Sequence, residues 1–195
     1  MTNPEDLTSV IEGAQRLEQP ALEQLVDLYS GRLYGFLYRF TNQRGDAEDL
    51  VQEVFVRVVR SIENYEHDGR FEGWLFRIAA NLARDRIRHV QRSPHIGSLD
   101  STGTDDAEPP RGAARQSDPV GPRPDRAMEL AEDVDRLQVA LSELSEPERE
   151  VILLRHYSEM SFSEVAETMG TPLGTALARS HRGLTKLREL LESQS

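Results

Sequence analysis

The chain contains no cysteine. Disulfide bridges and thiolate metal sites are therefore excluded, which suits a reducing cytosol. No apolar run approaches the ~20 residues of a membrane span. The opening residues, MTNPEDLTSVIEGAQ, lack the basic start and apolar core of a signal peptide. These absences predict a soluble cytoplasmic protein. Apolar residues make up only 37% of the chain, low for one compact domain and suited to helices joined by a polar linker. Catalytic signatures are missing too: there is no Gly-rich phosphate loop, no GxSxG and no HExxH. The histidines, His67, His89, His95, His156 and His181, form no ligand pair at i, i+4. The expectation is a non-enzyme with no metal and no cofactor.

Basic charge is scarce overall, with a net charge of −11, so indiscriminate DNA binding is disfavoured. Its distribution is uneven. Residues 70–92 carry six arginines against Glu72 and Asp85. Residues 171–188 carry Arg179, Arg182, Lys186 and Arg188 with no acid. The acid concentrates in residues 1–30 and 129–150. Two basic patches on an acidic body suit a protein that touches nucleic acid only when something else positions it; chance patchiness on a helical protein is the alternative.

Residues 93–127 hold six of the ten prolines and almost no large apolar residue beyond Ile96, Leu99 and Val120. Such a stretch cannot bury enough surface to offset chain entropy and is read as a flexible linker. It divides the chain into an N-terminal module, 1–92, and a C-terminal module, 128–195. Both read as all-α. Residues Leu22 to Phe40 predict a largely buried helix or helical pair. Gly45-Asp46 is expected to break and restart the chain with Asp46 as N-cap. Ala47, Leu50, Val51, Val54, Phe55, Val58, Val59 and Ile62 then follow the i, i+3, i+4, i+7 pattern. A polar loop at 64–70 precedes a helix to about Val90, with Trp74, Ile78, Leu82 and Ile87 inward. In the second module, Ser145…Glu148 and Ser161…Glu164 are both expected to be capping boxes. Phe162, Val165, Ala166 and Met169 line a short helix that stops at Gly170. Thr171-Pro172 starts the last helix, with Leu173, Leu177, Ser180, Leu184, Leu187 and Leu191 expected inward and Thr175, Arg179, Arg182 and Lys186 outward.

Three polar groupings stand on these elements. Asp49, Gln52, Glu53 and Arg57 share the outer face of one helix; this is either a docking surface or a solvated face. Tyr65, His67, Phe71, Trp74 and Phe76 lie among Arg70, Arg77, Arg84, Arg86 and Arg88. Aromatics stack on unpaired bases while arginines hold phosphates, so this group fits single-strand capture. Asn81, Arg84 and Arg88 form one strip at spacings of 3 and 4. The alternative is that Trp74 and Phe71 are core and the arginines ordinary surface, and for Trp74 core is favoured. The final basic helix of a helix-turn-helix fits a major groove, where Arg179 can bond guanine bidentately; an ordinary helical hairpin is the bland reading.

The runs DAEDLVQEVFVRVVRSIENY, GRFEGWLFRIAANLARDRIR and LSELSEPEREVILLRHYSEMSFSEVAETMGTPLGTALARSHRGLTKLRELL, in this order, resemble the sigma-70 family of RNA polymerase sigma factors, specifically its extracytoplasmic-function (ECF) group. The resemblance covers residues 20–92 and 128–191. It implies two helical domains, region 2 and region 4, and a subunit that binds core RNA polymerase and directs promoter-specific initiation. Asp49, Gln52 and Glu53 would meet the β′ clamp helices. Tyr65, Arg70, Asn81, Arg84 and Arg88 would hold the melted −10 non-template strand. Thr175, Arg179, Arg182 and Lys186 would read the −35 duplex, with the first helices of that domain on the β flap. An anti-sigma protein is an implied further partner. The chain departs from the family run Val-Lys-Ser-Arg-Leu: Leu177 stands where a lysine is usual and Ser180 where a leucine is usual. An autonomous duplex-binding regulator and a helical adaptor without DNA are the rival readings.

Overall fold

The computed structural model describes residues 4–92 and 124–193. Among these the order is α1 (Pro4–Gln15), α2 (Gln19–Thr41), α3 (Arg44–Ser61), a 3-10 turn (Ile62–Asn64), α4 (Phe71–Arg92), α5 (Pro124–Ser142), α6 (Glu146–Tyr157), α7 (Phe162–Thr168) and α8 (Leu173–Ser193), with no strand. The expected all-α class therefore holds. Most of the expected linker lies outside the described residues. Helix α5 starts at Pro124, four residues before the expected boundary, with proline at a first-turn position where its missing N–H costs nothing.

Helix α2 is the spine of the first module. Leu25, Tyr29, Leu33, Phe36, Leu37 and Phe40 recur at helical spacing and are all buried. It is one helix of 23 residues rather than a pair: Pro20 sits in its first turn, where it is tolerated, and Gly31 and Gly35 lie inside it without ending it. The break comes at Asn42, whose left-handed φ of 58° closes α2 while its N–H bonds Tyr38 O. Helix α3 thus starts earlier than expected: Gln43 is the N-cap, and Asp46 lies in the first turn, held by Arg86 at 2.7 Å. An acid there complements the positive end of the helix dipole without capping it. Helix α1 was not foreseen as a separate element. It packs Val10, Ile11 and Ala14 onto α2 and the 3-10 turn.

In α4 the inward face is Phe71, Leu75, Phe76, Ala79, Ala80, Leu82 and Ala83. Trp74, Ile78 and Ile87 lie half-buried at its edge, not at its centre. The alanines let α4 approach its neighbours closely, so the face turns toward them and away from the larger side chains.

The second module packs α6 and α7 against α8. The Ser161…Glu164 capping box is complete, with both reciprocal bonds present. The one at Ser145 is not: the Ser145 hydroxyl donates instead to the Glu148 carboxylate at 2.7 Å, leaving no side-chain cap. Helix α7 ends as expected at Gly170, φ 59°, where Thr171 N–H bonds Ala166 O and Gly170 N–H bonds Glu167 O. That pair of bonds is the Schellman arrangement, and it sets the turn before α8.

The inward face of α8 agrees with expectation at Ser180 and Leu187 and differs elsewhere. Ala176, Ser180 and Gly183 are buried, with Leu187 beside them, while Leu173, Leu177 and Leu184 are exposed. A methyl group at Gly183 would meet Ile152 Cδ1 at 2.8 Å. The small residues let α6 and α8 approach more closely than a leucine seam would allow. The close approach wins because every atom along it gains contacts.

Candidate nucleic-acid and polymerase interface

Asp49, Gln52 and Glu53 all stand exposed on α3, opposite the buried Ala47, Leu50, Val54 and Val58. The core fixes the helix, so this face is rigid as well as open. Val56 shares the stripe, three residues beyond Glu53, and is 47% exposed. It was missed because a valine within a valine-rich helix reads as core. An apolar side chain ringed by carboxylates and amides is suited to the dry centre of a protein contact.

The second grouping does come together. Tyr65 lies against Trp74, ring centroids 4.6 Å apart, and both touch Phe71. Phe71 is core, whereas Tyr65 and Trp74 are half-buried and keep part of their rings accessible. Burial raises the Tyr65 phenol to about 12, so it stays a neutral donor at physiological pH. Gly69, φ 82°, provides the left-handed bend that brings Arg70 to the head of α4, where the Asp68 carboxylate accepts its N–H. These groups border a 430 Å³ cavity.

The arginines of that face are not equally free. Arg88 is exposed, 4.0 Å from Asp85. Arg70 pairs with Glu164 of α7 at 2.8 Å. Arg84 bonds Asn81, donates to Thr168 O at 3.0 Å, and lies 3.1 Å from Glu150 of α6. The Glu150 side chain is 5% exposed, and burial pushes its carboxyl up to about 7 despite the nearby guanidinium. Residues that sequence reasoning did not single out hold this arrangement. Arg32 forks onto Glu72 and also donates to Tyr157 O. Arg149 donates to Phe40 O at 2.9 Å, and Gln138 to Asn42 at 2.7 Å. Isolated polar residues at helix positions carry no sequence mark of a distant partner.

On α8, Thr175 and Arg179 are half-exposed and Arg182 and Lys186 exposed. Arg182 reaches Glu148 at 3.2 Å, and the Lys186 ammonium donates to Glu143 O. At 100° per residue these cations form a stripe about 90° to one side of the buried face, and the exposed leucines about 70° to the other. The outermost line is therefore Gly174, Ala178, His181 and Thr185, all exposed. His181 was dismissed with the scattered histidines. It sits on the outermost line of the helix.

Two small helical modules, one carrying an aromatic–arginine face and the other a helix-turn-helix, define a protein of the transcription-factor class. Residues 25–93 match the sigma-70 region 2 model and residues 140–189 the sigma-70 region 4 model. Among curated relatives, the Bacillus subtilis ECF RNA polymerase sigma factor SigW is 32% identical over 93% of this chain and 94% of its own length. The Myxococcus xanthus RNA polymerase sigma factor CarQ is 38% identical over 89% of this chain and 90% of its own. The Bartonella quintana sigma factor RpoE, solved in complex with the anti-sigma factor NepR, matches with a TM-score of 0.61 at 26% identity, covering 87% of this chain and 96% of that one. CnrH, solved with the cytosolic domain of CnrY, has the same TM-score and identity, over 95% of this chain and 97% of that one. The chain belongs to the ECF group of the sigma-70 family of RNA polymerase sigma factors.

Among the described residues no helix is long and apolar enough to cross a membrane.

Proposed function

We propose that this sigma factor grips core RNA polymerase through Asp49, Gln52 and Glu53, with Val56 at the centre of the contact. Region 2, residues 1–92, then holds the −10 non-template strand on Tyr65, Arg70, Asn81, Arg84 and Arg88. Region 4, residues 128–195, reads the −35 duplex with α8. The observation that carries this reading is the division of α3 into a buried apolar side and a fully exposed polar side. A helix so anchored presents a surface that its own fold leaves unused.

The −10 assignment is supported by the Tyr65–Trp74 platform beside Arg70, where a base can stack while its phosphate is held. For α8 the support is an apex free of lysine and arginine, flanked by Thr175, Arg179, Arg182 and Lys186. Short side chains at the apex admit the helix to a groove, and the flanking cations reach phosphates. Leu177 adds apolar contact instead of a cation at its flank. An anti-sigma partner, like the one bound in the Bartonella quintana complex, would find a 750 Å³ groove lined by Leu137, Leu141, Ile152, Phe162, Leu184 and Leu187. A cytoplasmic location follows from a polymerase partner.

The test is reconstitution with core polymerase. The chain is expected to co-purify with core and to produce run-off transcripts from a promoter selected out of a randomised pool. Transcription no higher than core alone would reject the reading.

A further inference from the structure

We propose that α1 is part of the −10 reader. Gln15, with Thr8 beside it, is a positioning residue: it holds Tyr65 and the loop after it in the geometry that selects a base. The inference rests on the −10 assignment proposed above.

Residues 65–70 belong to no helix. The first of them is nevertheless tied at both ends of its backbone. Tyr65 N–H bonds Ile62 O at 3.1 Å, in the 3-10 turn. The Gln15 side-chain amide donates to Tyr65 O, from a helix 50 residues earlier. Two residues on, His67 lies between two hydroxyls. Thr8 Oγ1 is 3.4 Å from its Nε2, and the Tyr65 hydroxyl oxygen is 3.4 Å from its Nδ1. A hydroxyl donates or accepts, so either tautomer of the ring satisfies both contacts. Thr8 and Gln15 fall on one face of α1, about two turns apart, with the fully buried Ile11 between them.

Helix α1 is itself fixed where this matters. Gly13 is buried so close to α2 that a methyl group there would meet Ala21 Cβ at 2.8 Å. The helix then closes in a Schellman turn. Leu17 N–H bonds Ala14 O at 2.9 Å and Glu18 N–H bonds Gly13 O at 3.0 Å. The left-handed position of that turn, usually glycine, is Leu17, φ 56°. Its side chain is 45% exposed, so burial does little to offset the strain. Strain of this kind persists where the surroundings over-determine it, and it gathers at functional sites. Here it ends α1 directly after Gln15, the last residue of the helix.

Among the described residues that line the 430 Å³ cavity beside Tyr65, none comes from α1. Gln15 and Thr8 therefore act on a bound base only through the loop. What they supply is preorganisation: a platform already fixed does not have to be ordered when the strand arrives. A fixed platform also discriminates, because a wrong base cannot push it into a fit. A brace of purely structural value would change transcription equally on every promoter. A positioning role changes the ratio between a right base and a wrong one.

The full chain is loaded on core polymerase with two templates: a promoter selected with the parent chain, and one differing from it at a single −10 base. The ratio of their run-off rates measures discrimination. Gln15→Met keeps the length of the side chain and removes its donor. It should lower the ratio about fivefold, the scale of one hydrogen bond, with core affinity unchanged and helix content preserved. Gln15→His presents a ring N–H at a similar reach and should recover most of the ratio. Thr8→Val removes the longer contact and should lower it about twofold. An equal loss on both promoters, or no loss on either, overturns the proposal and leaves the sigma reading intact. Should Gln15→Met fail to fold, Thr8→Val decides alone, and a parent-like ratio there overturns the proposal. If the parent gives no more transcript than core alone, the sigma reading falls and the role of α1 with it.

A second readout needs no promoter. Trp74 is the chain's single tryptophan and lies against Tyr65, so its emission in the free protein reports the platform. Acrylamide should quench it more strongly in Gln15→Met than in the parent, because a loosened Tyr65 uncovers the indole. Quenching equal to the parent would mean that the loop never moved, and would overturn the proposal as well.

Discussion

Helices α3 and α4 lie side by side, and each turns a polar stripe away from the first module's core, yet the two stripes have opposite fates. On α3, Asp49, Gln52, Glu53 and Val56 are all exposed, with Asp49 only loosely paired to Arg86 at 3.9 Å. On α4, Arg84 lies against Glu150 of the second module, and just before the helix the exposed Arg70 pairs with Glu164. The α3 stripe is exposed, whereas the α4 stripe is engaged by the second module at Arg84 and open at Asn81 and Arg88. The comparison shows that two neighbouring helices of one module can differ in how far the other module engages them.

The largest expected effect tests the engaged stripe. Arg84→Ala leaves Glu150 buried without its guanidinium and Thr168 O without a donor, and should cost about 3 kcal/mol in chemical denaturation of the full chain. A loss under ~0.5 kcal/mol, usual for a surface position, would mean the α4 stripe is as open as that of α3.

pH acts on the same contact. Burial raises the folded-state carboxyl of Glu150 to about 7 from an ordinary 4.5, so the closed fold holds a proton that the unfolded chain releases. The stabilisation is complete below 4.5 and is lost as pH rises through 7, by at most about 3 kcal/mol. Arg84, Arg88 and Arg179 oppose the shift and Glu146 reinforces it. Thermal melts from pH 5 to 8 should slope downward, and Glu150→Gln should flatten that slope. A melt that rises with pH would reverse the argument.

For the bare stripe, Gln52→Ala with Glu53→Ala should weaken core polymerase binding about tenfold, or ~1.4 kcal/mol. The melting temperature should remain that of the parent, because neither side chain packs on the core. Unchanged affinity in a titration against labelled core would remove α3 from the docking role.

The smallest effect lies in the element that delivers Glu164. Ser161→Ala removes the N-cap of α7 and should cost about 1 kcal/mol, visible as a modest fall in denaturation midpoint. No change would mean that the α7 start is held by packing alone.

How much of this was legible depends on the kind of signal. The i, i+3, i+4 pattern of Leu50, Val54 and Val58 predicts α3 because burial on one side of a helix must recur at 3.6 residues. The Ser161 box and Gly170 mark α7 because capping chemistry is local. The α8 face was misjudged. Its leucines outnumber its small residues, and periodicity records the angle between stripes but not which stripe turns inward. The start of α3 was misplaced because Asp46 has the right residue type for a cap, yet the left-handed turn at Asn42 decides the boundary. Arg32, Gln138 and Arg149 left no mark in the sequence, since their partners come from distant segments.

The sequence by itself determined the helices, the helix-turn-helix and the family, because propensity, capping and apolar period act within a few residues. Only the tertiary structure decided that Ala176 and Gly183 bury beside Ser180, that Ala178 and His181 crown α8, and that Arg70 and Arg84 meet carboxylates of the second module. Those outcomes depend on how closely two helices can approach and on which charges meet across the chain. Both are set by packing between segments far apart in sequence.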